Sequence, residues 1–239
     1  LRQNLRHYKR YTYGISKSIR FLRSINNSKL YKFYNTLILA AIDIGSNAAR
    51  LLIQDVKIDA FGTPIFTKLN LIRIPLRLGI DVFSDGMINT ERELMLIQTM
   101  KVYELTMKIY KVEAYKAYAT SAMRDAKNGQ TIIEKVKKET NIDIQIISGS
   151  QEAEMVYETH ITDLLNPDKS YLYIDVGGGS TELTLIENHK ITYKESFNIG
   201  TIRLLHDGVT DEYWNNFKQK VKNATKDCNK LTAIGSGGN

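Results

Sequence analysis

Apolar residues fall first into short continuous runs along the chain, and then into wider helical spacings. Leu37 to Ile42 is a run of buried-strand type, closed by the turn Asp43-Ile44-Gly45-Ser46-Asn47. Arg50 to Ile58 and Pro64 to Ile74, rich in Leu, Ile and Val, predict two further strands. Thr90 and Glu93 have the spacing of a capping box. Met95, Ile97, Met100, Tyr103, Met107 and Tyr110 follow at roughly helical intervals and read as a core stripe. Tyr115 to Thr120 predicts a strand, with Ser121 capping a short helix that ends near Gly129. Gln130 to Thr140 predicts an amphipathic helix and Ile142 to Ile147 a strand. Glu152 to Leu165 predicts a helix stopped by Asn166-Pro167, with Glu154, Glu158 and Asp163 on its solvated face.

The opening pattern then returns. Tyr171 to Ile174 is an apolar strand ending in Asp175-Val176-Gly177-Gly178-Gly179-Ser180, and Thr181 to Ile186 and Ile191 to Phe197 are the strands that follow. Asp211 to Cys228 predicts a helix, and Leu231 to Ile234 a strand that runs into the glycine turn Gly235-Ser236-Gly237-Gly238. Asp175 follows Asp43 by 132 residues, about the size of a small domain, so the chain carries an internal repeat. Strands alternating with helices make the fold class α/β.

The repeated unit, an apolar strand ending in Asp-x-Gly and then a turn of small residues, has a chemical reading. Glycine lets backbone N–H groups approach an anion with no Cβ in the way, and consecutive amides in a tight turn form a concavity for phosphate oxygens. Ser46, Ser180 and Thr181 add hydroxyl donors. An aspartate at each strand end can hold Mg²⁺ directly or through water. A lone Asp-x-Gly turn is a weak signal, because Asp and Gly are ordinary turn formers. The triple glycine followed by Ser-Thr-Glu, in a repeated context, is much stronger.

Charge and composition refine this picture. Nine of the positive charges lie in the first 36 residues, where no acid occurs before Asp43; removing them from the net +7 leaves −2 for the body. The basicity therefore belongs to an arm, residues 1–36. It reads as a binding segment for RNA, an anionic membrane or polyphosphate, as an organellar transit peptide, or as a non-native extension, since residue 1 is Leu and the first Met is Met87. Nucleic-acid binding rests on that arm alone. The single cysteine, Cys228, excludes an internal disulfide and fits a reducing, cytoplasmic setting. The scattered histidines disfavour zinc, and no apolar run reaches the roughly 20 residues of a membrane span.

Four segments in order carry a resemblance: Ala41-Ile42-Asp43-Ile44-Gly45-Ser46-Asn47, Ala119-Thr120-Ser121-Ala122-Met123-Arg124-Asp125-Ala126, Ile146-Ile147-Ser148-Gly149-Ser150-Gln151-Glu152-Ala153 and Ile174-Asp175-Val176-Gly177-Gly178-Gly179-Ser180-Thr181-Glu182-Leu183. Together they resemble the exopolyphosphatase / guanosine pentaphosphate phosphohydrolase (Ppx/GppA) family, of the sugar and acetate kinase, heat-shock chaperone and actin superfamily, over residues 37–239. The Gly-x-x-Glu-Ala element sets that family apart from the kinases and chaperones.

The resemblance implies two ribonuclease-H-like (actin-like ATPase) domains, 37–166 and 167–239, with the active site in the cleft between them and the second domain truncated. It implies Glu152 as the catalytic base that activates water. It implies Asp43, Asp175 and Glu182 as acids of a Mg²⁺ (or Mn²⁺) site. For phosphate binding it implies Ser46, Asn47, Arg77, Arg124, Gly178, Gly179, Ser180, Thr181, Gly235, Ser236, Gly237 and Gly238. The expected substrate is inorganic polyphosphate, with guanosine pentaphosphate the nearest alternative and a non-catalytic sensor a third reading. An unpaired sheet edge makes a second copy of the chain a candidate partner.

Overall fold

The computed structural model describes residues 36–59, 64–152, 166, 168–206, 208–228 and 230–237. Most of the basic arm, the helix expected after Glu152 with Glu154, Glu158 and Asp163, and Gly238 lie outside these residues.

Two mixed sheets organise the chain. The first has the order β3-β2-β1-β4-β5, with β1 Thr36–Ile44, β2 Ala49–Ile58, β3 Pro64–Ile74, β4 Ala114–Ala119 and β5 Ile144–Ile146. The second has the order β8-β7-β6-β9, with β6 Tyr171–Val176, β7 Thr181–Glu187, β8 Lys190–Phe197 and β9 Thr232–Gly237. In each, the strand that ends in Asp-x-Gly lies between an antiparallel hairpin partner and a parallel strand that arrives by a crossover. The repeat seen in the sequence is thus a repeat of topology.

β1 reads as a continuous apolar run because both of its faces are covered. Ala40, Ile42 and Ile44 face a core built with helices α1 (Leu78–Asp85), α2 (Thr90–Ile109) and α4 (Gly129–Thr140), while Leu37 and Leu39 face a second cluster with Val56 and Phe66. The short α3, Ser121–Asp125, adds Ala122 and Met123 to the main core. The second sheet packs Leu172, Leu183, Leu185 and Phe197 against α6 (Asp211–Thr225), where Phe217 meets Phe197 edge-on at 4.8 Å. A five-residue helix, α5 (Thr201–Leu205), follows β8.

Several local expectations are corrected. The cap of α2 is Asn89, whose side chain accepts from the Arg92 amide; Thr90 is already helical, and Glu93 instead pairs with Lys135 of α4. The buried apolar residues of α2 are Ile97, Met100, Tyr103 and Met107 as expected, together with Leu96, and Met95 points outward. Ser121 lies inside α3 rather than capping it, and α3 ends at Asp125, short of Gly129. Gly235, Ser236 and Gly237 are strand residues of β9, not a turn. Helices α1 and α5 were not anticipated, being too short to show a full apolar period.

The orientation of α2 is directly testable. Leu96 is fully buried, so Leu96→Ala should cost about 2–5 kcal/mol through lost transfer energy and the cavity left behind. Met95→Ala, on the outer face, should change stability by less than about 0.5 kcal/mol. Urea titrations with an unchanged m-value check both.

Candidate functional site

The two Asp-x-Gly turns are built alike. The Gly45 amide donates to the Ala48 carbonyl at 3.0 Å, and the Gly177 amide to the Ser180 carbonyl at 2.8 Å. Each turn is then clasped by the residues entering a short helix. Arg77 and Gly79 donate their amides to Asn47 and Ser46, both at 2.8 Å. Thr201 and Ile202 donate theirs to Gly177 at 3.0 Å and Gly178 at 2.8 Å. The helices missed in the sequence are therefore what hold the loops. Arg77 itself adopts a left-handed conformation at φ 55°, unusual for a residue with a Cβ, and its side chain is exposed.

Side by side, the matching rows of the two sheets differ in charge. In the first, Asp43 lies opposite Arg50, which lies opposite Arg73, with Tyr118 on the other side. In the second, Asp175 lies opposite Glu182, which lies opposite Ser196, with Ser236 on the other side. Asp43 is thus partnered by a base, Arg50 Nη1 at 3.6 Å, whereas Asp175 is partnered by another acid. Ser236 Oγ donates to Asp175 Oδ1 at 2.7 Å and itself accepts from the Tyr173 hydroxyl at 3.1 Å. Ser236 therefore orients Asp175 in this structure.

Glu152 reaches this acidic row through a turn. Ser148 and Gln151 form a reciprocal capping box. The Gln151 amide donates to Ser148 Oγ at 3.2 Å, and the Ser148 amide to Gln151 Oε1 at 2.9 Å. This Ser-x-x-Gln spacing is legible in the sequence. The box starts a helical turn at residues 149–152, with Glu152 in it and buried. Gly149 lies so close to β8 that a Cβ there would stand 2.5 Å from Ser196 Oγ and 2.6 Å from its Cβ. Ser196 Oγ in turn donates to Glu182 Oε1 at 2.9 Å. The glycine of the Gly-x-x-Glu element thus brings Glu152 against the acidic row.

Glu152, Asp175 and Glu182 are 4%, 5% and 3% exposed, so all three carboxyls are largely withdrawn from water. Burial, then the charge of Glu152, then that of Asp175 push Glu182 up to about 8, against hydrogen bonds from Ser180 and Ser196 that favour its ionised form. Among the described residues no three His, Cys, Asp or Glu side chains converge as a metal centre. Mg²⁺, however, is usually held by one or two carboxylates together with water and substrate phosphate oxygens. The pair Asp175 and Glu182, side by side and in need of positive charge, fits that mode, and Asp43 lies at the same level of the other sheet.

The remaining expected phosphate ligands divide. Ser46 Oγ and Ser121 Oγ share a hydrogen bond of 2.9 Å, and both face Gly179. A Cβ on Gly179 would meet Ser121 Oγ, Phe83 Cζ at 2.5 Å and Ser46 Oγ at 2.9 Å, so the two loops touch here and only glycine fits. Thr181 Oγ1 donates to the Ile199 carbonyl at 2.6 Å, so its proton is used within the fold. Arg124 Nη1 donates to the Ile147 carbonyl at 3.0 Å. Gly235 stands in open space and Gly237, at φ 80°, packs on Val176. Arg203, absent from the sequence-based set, lies between the two sheets: its Nε donates to the Gly179 carbonyl at 2.9 Å and its Nη2 to Asp125 Oδ2 at 2.6 Å. No helix among the described residues is long and apolar enough to cross a membrane.

The Glu182 carboxyl gives a pH test. Its proton is held more tightly in the fold, at about 8, than at the ordinary value of 4.5. The folded state therefore binds the extra proton between those values, and stability is lost as pH rises from the lower towards the higher. In chelator, Glu182→Gln should flatten the fall in Tm between about pH 5 and about pH 8, as thermal melts across that range would reveal.

A profile of the Ppx/GppA phosphatase family matches residues 57–233. The chain is 33% identical over 203 residues to a bifunctional 3-dehydroquinate synthase/phosphatase of Fusobacterium nucleatum, covering 82% of this chain and 30% of that protein. It is 27% identical over 174 residues to exopolyphosphatase 1 of Mycobacterium tuberculosis, covering 73% of this chain and 49% of that protein. The chain thus spans half or less of the length of these relatives. An exopolyphosphatase structure from Cytophaga hutchinsonii is similar with a TM-score of 0.70 at 28% identity, over 83% of this chain and 66% of that one. The Aquifex aeolicus Ppx/GppA family member gives 0.63 at 28% identity, over 84% and 67%. With a family profile spanning most of the chain and solved members sharing its α/β architecture, the chain belongs to the Ppx/GppA phosphatase family.

Proposed function

We propose that this chain removes the terminal phosphate of a phosphoanhydride chain by attack of water, with inorganic polyphosphate as substrate. The observation that carries the reading is the packing of Gly149 on Ser196, the residue bonded to Glu182, which brings Glu152 close enough for its charge to act on Glu182. The repeated sheets are the two lobes of the site, divided near residue 166. Glu152 accepts the proton of the attacking water, whose oxygen bonds to the terminal phosphorus while the bond to the bridging oxygen breaks. That oxygen leaves with the shortened chain. The amides of the loops at Ser46-Asn47 and Gly178-Gly179, with the exposed Arg77, bind the phosphate oxygens, and positioning and charge neutralisation lower the barrier. A Mg²⁺ held at Asp175 and Glu182, with Asp43 near, would neutralise phosphate charge.

Two substitutions test this with tripolyphosphate and long-chain polyphosphate as substrates and Mg²⁺ present. Glu152→Gln should lower kcat by about 10²–10⁴-fold with little change in KM, as expected for loss of a general base. Gly149→Ala keeps every polar group but displaces the turn, and should lower kcat by about 10–100-fold. Release from guanosine pentaphosphate alone would reassign the substrate. Tight binding of both compounds with no release by the unaltered protein would replace the enzyme with a sensor.

A further inference from the structure

Arg203 occupies a position that the hydrolytic reading leaves without a task. It stands on α5, part of the second half of the repeat, and its guanidinium reaches three groups at once. Nε donates to the Gly179 carbonyl, Nη2 pairs with Asp125 of the first half, and the guanidinium carbon lies 4.1 Å from the centre of the Phe83 ring on α1. The side chain is only 14% exposed. A surface ion pair alone contributes little, but a planar fork that satisfies a carboxylate, a carbonyl and an aromatic face in one geometry is far more restrictive.

The partners explain what such a restriction controls. Asp125 ends α3, whose first residue, Ser121, is bonded to Ser46 in the first turn. Gly179 belongs to the second glycine loop, and its carbonyl shares a planar peptide with the Ser180 amide. Pinning that carbonyl therefore fixes the plane of the Gly179–Ser180 peptide, beside the Gly178-Gly179 amides that the hydrolytic reading assigns to phosphate. Where the halves touch, Gly179 lies against Ser46, Ser121 and Phe83, and Arg203 lies over the same Phe83 ring. The contacts close a circuit around the seam: Ser46 to Ser121, through α3 to Asp125, across to Arg203 and back to Gly179.

We propose that Arg203 is a positioning residue that latches the two loops together, so that one phosphate meets both. The catalytic part of this inference rests on the phosphohydrolase reading; the latch itself does not. Arg203 touches neither water nor substrate in this role. Its loss lowers the fraction of molecules in the binding-competent arrangement, which weakens apparent affinity by that fraction and leaves the chemical step of the competent molecules unchanged.

The test uses the whole protein and inorganic tripolyphosphate as probe. Arg203→Met should raise KM and the dissociation constant, the latter measured by calorimetry in a Glu152→Gln background, by about tenfold, while kcat stays within about threefold. Asp125→Asn, at a side chain 30% exposed, should raise both by about threefold, and the double variant should be no worse than Arg203→Met, because the two act as one unit. Spin labels at Lys138→Cys and Lys190→Cys, one exposed position in each half, in a Cys228→Ser background, read the seam without ligand. Arg203→Met should lengthen and broaden their distance distribution. Unchanged KM and label distances with only a lower Tm would overturn the latch and leave a stabilising ion pair. If the unaltered protein neither binds nor hydrolyses tripolyphosphate, the hydrolytic reading fails while the label distances still decide the latch.

Discussion

Glu182, a buried carboxyl that feels the charges of both Glu152 and Asp175, is the constraint around which the second half of this protein is arranged. Withdrawing a carboxylate from water is costly, and doing so next to two others is more so, because each raises the proton affinity of its neighbours. Hydroxyls meet part of this cost. Ser236 donates to Asp175, Ser196 to Glu182, and Tyr173 braces Ser236. Burial and the charges of Glu152 and Asp175 still raise the proton affinity of the Glu182 carboxyl.

The duplicated topology sets two different rows of side chains on one scaffold. Both halves place an aspartate at the end of the central strand, fold the same turn after it, and clasp that turn with a short helix. They differ across the sheet, where the first half sets Arg50 and Arg73 in the row occupied by Glu182 and Ser196 in the second. The row of the first half thus carries basic side chains, with Arg50 paired to Asp43, and that of the second carries a further acid and a hydroxyl.

Much of the fold was legible because it follows from short-range rules. The strands from Pro64 to Ile74 and from Tyr171 to Val176 announce themselves by runs of apolar and β-branched residues, and the repeated Asp-x-Gly turn by its glycines. The misreadings have local causes. Met95 and Leu96 are adjacent and both apolar, so spacing could not say which faces the core; packing of α2 against α4 decided for Leu96. Asn89 and Thr90 are both good caps, and only the backbone at Asn89 has left the helical region. The glycines from Gly235 to Gly237 look like a turn by composition, yet pairing with β6 draws them into a strand.

The sequence by itself determined the α/β class, the internal repeat and the family, because these depend on periodicity and on motifs contiguous in the chain. Through the family resemblance it also pointed to Glu152, Asp175 and Glu182 as candidate site acids. Only the tertiary structure decided what lies beside what. That Gly149 rests on Ser196, that Ser236 serves Asp175, and that Arg203 reaches Gly179 and Asp125 are contacts between segments 24 to 78 residues apart. No local pattern encodes such contacts, since they are set by how two sheets pack and not by the propensity of any one segment.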